Sequence, residues 1–250
     1  MSSERQLLES ESRWWGEHVH RYREALVYIG HTDTVLDIAC GTGFGAAIIA
    51  EHTSGMVTGG DIATAAIEEC KTKWNRANLN FRVLDGTALD FSDSHFDVIV
   101  SFETIEHTKQ YVQMLAEFAR VLKPGGRLVL STPNAAITSP DGVIPNPYHT
   151  QEFRYEELQQ VLSAHFNSAS VYGQRYSRYD KLTLQKKLGR ICEKLMLSFG
   201  IRKLSYRIRN GCMKLFFGHS LYPVPADFVI ETDPARIRKE SPVLFAVCNK

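Results

Sequence analysis

Cysteine is scarce in this sequence, and its pattern excludes the common cysteine-based sites. The 250-residue chain has five cysteines, and no two of them form a Cys-x-x-Cys pair. The sequence therefore predicts neither a disulfide framework nor a cysteine-ligated zinc site. Free thiols are typical of a reducing compartment, which indicates a cytoplasmic protein.

Long hydrophobic runs are also missing. The first residues, MSSERQLLESESRWW, carry charge from Glu4 onward and have no apolar core, unlike a secretory signal. No apolar run approaches the roughly 20 residues that a membrane-spanning helix needs. We therefore expect no transmembrane segment, while peripheral contact with a membrane stays open.

What the sequence does contain is an alternation of short apolar strands with helical segments. The predicted strands are TVLDIAC (34–40), MVTGGDI (56–62), NLNFRVLDG (78–86), FDVIVSF (96–102) and RLVLSTP (127–133). Such alternation is typical of parallel crossover units with helices on both faces of a sheet. The fold class predicted is α/β, as a doubly wound domain.

The segments outside this alternation complete the predicted organisation. Residues 1–30 form an N-terminal helical cap, with a helix over Glu4–Gly30, and residues 166–176 and 242–250 form two later strands. The cofactor-binding domain then comprises residues 31–176 and 241–250. A helical insertion, residues 177–240, lies before the last strand.

The first strand ends in a glycine-rich turn, Asp37-Ile-Ala-Cys-Gly41-Thr-Gly43-Phe-Gly45. In an open α/β sheet, ligands bind beyond the carboxyl ends of the strands, and a glycine turn lets the backbone approach them. Asp61 ends the second strand about 20 residues after Gly41, where an acid can accept hydrogen bonds from ribose hydroxyls. A ribose-bearing cofactor is expected.

Together with Asp85 after strand three and Leu-Lys-Pro-Gly-Gly-Arg-Leu before strand five, these motifs resemble those of class I S-adenosylmethionine-dependent methyltransferases. The resemblance covers roughly Thr34 to Thr132. It implies a Rossmann-like seven-stranded sheet with an antiparallel C-terminal strand, and S-adenosyl-L-methionine as cofactor.

The resemblance also implies cofactor-binding residues. Glycines 41, 43 and 45 would line the methionine part, Asp61 would take the ribose diol, and Asp85 with Gly86 would lie at the adenine. Asp37 would bind loop amides or the cofactor's amino group. The residues implied in cofactor binding are Asp37, Gly41, Gly43, Gly45, Asp61, Ile62, Asp85, Gly86 and Phe102.

Strand four is followed by Glu103, Glu106 and His107, and the later proline-rich loop ends at His149. A helical turn here would project the first three from one face. This pattern resembles ubiquinone-biosynthesis O-methyltransferases and small-RNA 2'-O-methyltransferases, in which it binds a divalent metal. The resemblance implies that all four residues are metal ligands, with Mg²⁺ suited to the carboxylates and Mn²⁺, Fe²⁺ or Zn²⁺ to the imidazoles.

An interpretation without metal stays open, because relatives of this fold carry Glu-His after strand four and use no ion. His107 or His149 is then the candidate catalytic base, since imidazole titrates near neutral pH. Both interpretations indicate transfer to oxygen, on a sugar, glycolipid, quinol or secondary metabolite. The alternatives are an RNA ribose 2'-O-methyltransferase and a non-catalytic cofactor-binding partner subunit.

The insertion is basic: Gly173–Tyr222 holds twelve Lys or Arg against Asp180 and Glu193. Apolar residues at helical spacing predict two amphipathic helices there, the first with Leu184, Leu188, Ile191 and Leu195, and the second with Ile201, Leu204, Ile208 and Leu215. Five interpretations of this segment stay open: a solvated face, a membrane contact, a nucleic acid surface, an acceptor cap or a homodimer contact. The many large apolar residues argue against nucleic acid.

Overall fold

The protein is described from a computed structural model that covers residues 14–180, 184–197 and 205–250, with the side chains of 184–187 left aside. Two compact units emerge among these residues. The first contains residues 21–175 and 230–250, and the second contains residues 14–20 and 176–229.

A single eight-stranded sheet organises the fold, in the order β3-β2-β1-β4-β5-β8-β6-β7. Its strands are β1 Val35–Ile38, β2 Val57–Asp61, β3 Leu79–Val83, β4 Phe96–Phe102, β5 Leu122–Pro133, β6 Ser168–Tyr176, β7 Phe228–Glu231 and β8 Val243–Asn249. The first five strands pair in parallel, and β8 pairs antiparallel with both β5 and β6. The predicted α/β class and antiparallel ending are confirmed.

The helices are α1 Trp15–Ala25, α2 Phe44–His52, α3 Thr64–Lys73, α4 Tyr111–Val121, α5 Ala135–Thr138, α6 Tyr155–Ser163, α7 Leu184–Met196, α8 Tyr206–Phe217 and α9 Pro234–Glu240. Helix α4 shows why they pack as they do, since its apolar residues recur on one face and are buried. Strand β1 is buried along its whole length, as a central parallel strand is. The first unit therefore has one core, shared by sheet and helices.

Several predicted boundaries were wrong. The strand count is eight rather than seven, because β7 forms inside the segment predicted to be helical. Strand β5 begins at Leu122, directly after α4, so Pro124-Gly125-Gly126 lies within its bounds. The leading helix ends at Ala25 and continues only as a 3-10 turn over Leu26–Tyr28, while the part predicted before Trp14 lies outside the described residues.

In the second unit, both predicted helices of the insertion are present as α7 and α8. They pack against each other in antiparallel fashion: Gly189 lies beside Phe217, and the Arg209 guanidinium donates to the Met196 carbonyl at 2.8 Å. The predicted residues Ile201 and Leu204 lie outside the described residues. Across the described ranges, no helix is both long enough and apolar enough to cross a bilayer.

Candidate functional site

The glycine turn after β1 has the backbone geometry that only glycine adopts easily. Gly41 and Gly43 have φ angles of 55° and 75°. A Cβ on Gly43 would lie 2.8 Å from the Cys70 sulfur and from a Phe81 ring carbon, whereas a Cβ on Gly41 would meet nothing within 4 Å. Gly43 is therefore fixed by packing, and Gly41 faces open space that a ligand can fill.

Two side chains hold this turn, one from α3 and one from its C-cap residue, and no local sequence pattern identifies either. The Cys70 thiol donates to the Gly41 carbonyl at 3.3 Å, and the Trp74 indole N–H donates to the Thr42 carbonyl at 2.8 Å. These bonds direct the Gly41 and Thr42 carbonyls toward α3. The Gly43 amide in turn donates to the Cys40 carbonyl at 2.9 Å, which closes the turn.

Asp61 lies at the end of β2 beside the turn, as predicted. Its carboxylate accepts hydrogen bonds from the backbone N–H groups of Gly41 at 3.0 Å and Ala63 at 2.9 Å. The following Ile62 is 68% exposed although it is large and apolar. A half-exposed acid followed by an exposed aliphatic side chain suits a nucleoside, whose ribose needs an acceptor and whose base needs an apolar surface.

Asp85 and Gly86 follow β3 at the same end of the sheet. The exposed Asp85 carboxylate accepts from the Thr87 amide at 2.8 Å and from its hydroxyl at 2.7 Å, which closes a tight turn. Gly86 is buried under Met114. This turn ends beside the base position expected from Asp61 and Ile62.

Asp37 is fully buried and is held by Tyr22, whose hydroxyl donates to its carboxylate at 3.1 Å. Burial raises the pKa of Asp37 to about 7, against the opposing hydrogen bonds from Tyr22 and the Ala46 amide. Burial likewise raises the pKa of Tyr22. A Cβ on Gly45 would overlap the Tyr22 ring, so Gly45 makes room for this tyrosine.

Phe102 ends β4 and is buried in contact with Tyr22, with ring centroids 4.9 Å apart. Tyr22 therefore joins three predicted residues, namely Asp37, Gly45 and Phe102. Sequence analysis placed it only on the leading helix, because nothing local shows which strand a helix covers.

Glu103 does not start a helical turn. It has a left-handed φ of 51°, and the 3-10 turn that follows spans Ile105–His107. Its carboxylate accepts from the Ser131 hydroxyl at 2.8 Å and from the guanidinium of the buried Arg21 at 3.1 Å. The prediction that Glu103 shares one face with Glu106 and His107 was wrong, because its strained backbone turns it toward β5.

Glu106 is completely buried. One carboxylate oxygen accepts from the Thr132 hydroxyl at 2.9 Å, while the other has no hydrogen-bond partner. Burial and then the Glu103 carboxylate raise the pKa of Glu106 well above its ordinary value. A buried carboxyl with an unpartnered oxygen is costly unless a proton or a cation meets it.

His107 and His149 meet in an edge-to-face contact with ring centroids 4.8 Å apart. The proline-rich loop is tied back to the β4 end, since the Thr150 amide donates to the Glu106 carbonyl at 2.7 Å and the Gln151 amide group donates to the Thr108 carbonyl at 2.7 Å. These ties explain how a histidine 42 positions away in sequence reaches His107. Gln151 is a positioning residue that sequence analysis missed.

Each histidine is oriented by a second group. His107 Nδ1 lies 3.2 Å from the Tyr148 carbonyl, and His149 Nδ1 lies 2.8 Å from the Glu152 carboxylate. The Asn146 side-chain carbonyl accepts from the Tyr148 amide, so its NH₂ group faces His149 Nε2 at 2.9 Å. This assigns the Nδ1 proton of His149 to Glu152.

The Glu152 carboxylate accepts hydrogen bonds from three side chains. Its burial would raise its pKa, but hydrogen bonds from Thr138, His149 and Ser139 outweigh burial and lower it. An ionised Glu152 stabilises positive charge on the His149 ring. The Glu152–His149 pair thus has the arrangement of a catalytic base and its orienting carboxylate.

The same residues have the donor chemistry of a metal site. Among the described residues, one ligand atom each from Glu106, His107 and His149 lie within 4.8 Å of one another. Both imidazoles have their second nitrogen on a carbonyl or carboxylate, as metal-binding histidines usually do. The unpartnered Glu106 oxygen completes a set that fits a divalent ion, and Glu103 lies outside it.

Comparison with known proteins decides the family of this fold. Residues 36–130 match the family model Methyltransf_11, described as a methyltransferase domain. Residues 36–130 form a methyltransferase domain of the class I S-adenosylmethionine-dependent type. This match ends at β5, so it covers the glycine turn, Asp61, Asp85 and the Glu106-His107 turn, but not the loop with His149.

Relatives of this methyltransferase domain extend the match. A probable S-adenosylmethionine-dependent methyltransferase of Mycolicibacterium smegmatis is 34% identical over 156 residues, which is 62% of this chain and 59% of that protein. A ubiquinone/menaquinone biosynthesis C-methyltransferase of Desulfotalea psychrophila is 36% identical over 48% of each chain. A ubiquinone biosynthesis O-methyltransferase of Coxiella burnetii is 33% identical over 40% of this chain and 43% of that one.

The chain thus spans less than two thirds of the length of the curated relatives that it matches. A solved S-adenosylmethionine-dependent methyltransferase from Archaeoglobus fulgidus has a TM-score of 0.61 and 19% identity, with 96% of this chain and 95% of that chain covered. At this identity the likeness concerns the fold alone. The fold of a Rossmann-like methyltransferase is confirmed.

Proposed function

We propose that this protein is an S-adenosylmethionine-dependent O-methyltransferase that acts on a hydroxyl of a sugar, glycolipid, quinol or secondary metabolite. The observation that carries the proposal is the Glu152–His149 pair next to His107 and the unpartnered Glu106 oxygen. A hydroxyl needs a base or a metal before it can attack a methyl group, whereas a neutral amine needs neither. The methyltransferase domain supports methyl transfer but leaves the accepting atom open, since its relatives include both C- and O-methyltransferases.

The cofactor supplies an electrophilic methyl group on a sulfonium centre. We assign its nucleoside to the open space at Gly41, the half-buried Asp61 and the exposed Ile62, while the buried Asp37 would bind the loop amides or the cofactor's amino group. These residues bind and orient, which is most of what such a transfer requires because the methyl group is already activated.

His149 is the proposed base. Its Nε2 lone pair points at the Asn146 amide in the free protein, and an acceptor hydroxyl would displace that amide. A proton taken up at Nε2 is stabilised through Nδ1 by the Glu152 carboxylate, 2.8 Å away. His107 lies against the His149 ring and closes that side of the acceptor site.

A divalent ion is a second way to activate the acceptor hydroxyl, because a bound ion lowers the pKa of that hydroxyl. Glu106, His107 and His149 would hold it, with Tyr148 and Glu152 orienting the two rings. Such an ion would act as a Lewis acid on an oxygen of the acceptor and favours a vicinal diol. One buried carboxylate with two imidazoles suits Mn²⁺, Fe²⁺ or Zn²⁺ better than Mg²⁺.

We further propose that the reaction takes place in the cytoplasm, a compartment in which the free thiols of the five cysteines are stable.

Transfer of a labelled methyl group tests the proposal. The full chain is incubated with methyl-labelled cofactor and a panel of catechols, quinols, sugars and glycolipids, with and without a chelator. We expect label on oxygen, and a loss of about 100-fold or more in His149→Gln and Glu152→Gln, while calorimetry shows unchanged binding of the demethylated cofactor.

His165→Gln is the matched control, since the His165 ring bonds to the carbonyl of Val161 in α6, away from the cluster. Activity that a chelator removes and Mn²⁺ or Zn²⁺ restores favours the ion, and activity that persists favours His149 alone. Label found only on carbon or nitrogen, or full turnover by His149→Gln, would contradict the proposal.

A further inference from the structure

Helices α7 and α8 leave six large apolar residues exposed. Leu188, Ile191 and Leu195 recur on one face of α7 and are 51%, 56% and 53% exposed. On α8, Ile208, Leu215 and Phe216 are 56%, 78% and 67% exposed. An amphipathic helix normally turns this face inward, so these two faces call for a partner.

The inward sides of the two helices combine one large apolar residue, Met213, with small and polar ones. Gly189 is buried against Phe217, and Arg209 is buried on the Met196 carbonyl. Glu193 accepts from Arg178 at 3.3 Å and also from the Tyr179 hydroxyl. The pair is thus held together by Met213, glycine packing and hydrogen bonds, while the six exposed apolar side chains take no part in these contacts.

The charge around the exposed side chains has one sign. Arg190 and Lys194 of α7 and Arg207 and Lys214 of α8 are exposed. Helix α8 contains no acidic residue, and the single acid of α7, Glu193, is engaged inside the unit. No exposed acid of either helix therefore opposes the four cations.

We propose that this surface, made of the six exposed apolar residues and four exposed cations of α7 and α8, docks on an anionic lipid bilayer. Helices with large apolar side chains outward and Lys or Arg beside them lie in the membrane interface, where apolar groups enter the acyl boundary and cations meet anionic headgroups. Two copies of this chain meeting face to face would oppose like charges, which disfavours a homodimer through this surface. Nucleic acid would leave the six apolar side chains without a partner.

This inference is independent of the proposed O-methyl transfer, since it uses none of the residues of that site. It adds a location for the reaction: an acceptor with a lipid tail would be concentrated where the enzyme is bound.

Vesicle co-sedimentation of the full chain tests the surface. Vesicles of phosphatidylcholine with about one third phosphatidylglycerol are compared with vesicles of phosphatidylcholine alone. We expect binding to the anionic vesicles that weakens as salt is raised. Lys194→Gln and Lys214→Gln should each lower the partition coefficient about fivefold on anionic vesicles.

The apolar part of the surface is tested by the double variant Ile191→Gln, Leu215→Gln. We expect its partition coefficient on anionic vesicles to fall at least about tenfold. Val112→Gln with Val143→Gln is the matched control, since these valines are 51% and 68% exposed in the first unit. Circular dichroism checks that every variant folds.

The inference is overturned if the wild-type chain stays in the supernatant with both vesicle types, or if the surface and control variants bind equally. A concentration-dependent dimer in sedimentation that the Ile191→Gln, Leu215→Gln variant abolishes would also overturn it, in favour of a second copy as the partner. Retention by RNA that resists the same variant would favour nucleic acid and count against the bilayer.

Discussion

At the scale of single residues, buried carboxylates decide the chemistry of the site. Asp37, Glu106 and Glu152 are all acidic and are all withdrawn from water, yet their pKa values move in different directions. Glu152 has three donors and stays ionised, while Glu106 has one side-chain donor and an unpartnered oxygen. Burial opposes the ionised form of all three carboxylates, and only at Glu152 do the donated hydrogen bonds outweigh burial.

Asp37 makes folding depend on pH. Its pKa rises from 3.8 to about 7 on folding, so the folded state holds a proton that the unfolded state has lost between these values. Stability therefore falls as pH rises from about 4 to 7, by on the order of 4 kcal/mol. Urea unfolding of wild type and Asp37→Asn from pH 4 to pH 8 measures this, and the variant should lack that part of the decline. Parallel curves for the two proteins would contradict the assignment.

Glu152→Ala tests the carboxylate that holds His149. The change removes the acceptor of the His149 Nδ1 proton and one of the two acceptors of each of the Thr138 and Ser139 hydroxyls, which should lower the free energy of unfolding by about 2 kcal/mol. Glu156→Ala is the control, because it removes an exposed carboxylate that pairs with Arg238, and the change should cost less than about 1 kcal/mol. Equal losses in the two variants would mean that the buried network contributes little.

At the scale of elements, the ends of β1 and β4 concentrate backbone strain. Ala39 before the glycine turn and Glu103 after β4 both have left-handed φ angles without being glycine. Such residues are uncommon and gather at functional sites, where the surrounding contacts hold them. Both strand ends lie at the carboxyl edge of the sheet, where a cofactor and an acceptor must meet.

Two glycines allow the cost of backbone strain to be measured apart from the cost of crowded packing. Gly43 and Gly125 have φ angles of 75° and 76°, but only Gly43 has atoms within 3 Å of an added Cβ. Alanine at Gly125 should cost about 1–2 kcal/mol through its backbone alone. Alanine at Gly43 should cost clearly more and weaken cofactor binding at least about tenfold, as measured by urea unfolding and calorimetry. If the two variants behaved alike, Cys70 and Phe81 would move aside at little cost in free energy.

The loop before α6 shows how one element positions a residue of another. Gln151 donates to the carbonyls of Ile105 and Thr108, at 2.5 Å and 2.7 Å, and so fixes the loop against the 3-10 turn. A histidine in a proline-rich surface loop thereby acquires a fixed place beside β4.

At the scale of the whole molecule, cofactor binding should couple to stability because only the folded sheet brings Gly41, Asp61 and Asp85 together. At a concentration 100 times its Kd, the demethylated cofactor should add about 2.7 kcal/mol to the free energy of unfolding. Asp61→Ala should remove this shift in thermal unfolding, while Asp90→Ala, at an exposed acid paired with Arg82, should keep it. If the demethylated cofactor stabilised both variants equally, Asp61 would not belong to the binding site.

The sequence by itself determined the parallel part of the sheet and its glycine turn. Strands buried on both faces are continuous apolar runs, and a turn that needs left-handed geometry requires glycine, so both features are local. The antiparallel ending followed from a resemblance, and β7 was missed because a four-residue edge strand has no periodicity of its own.

Tertiary structure alone decided which polar groups meet. Tyr22 reaches Asp37, Arg21 reaches Glu103, and His149 reaches His107 across many residues of chain, and no local pattern encodes such distances. The same holds for α7 and α8: their spacing predicted amphipathic helices, but only packing determined that the apolar faces stay outward. Periodicity records which side chains share a face, whereas the free energy of the folded chain decides what that face touches.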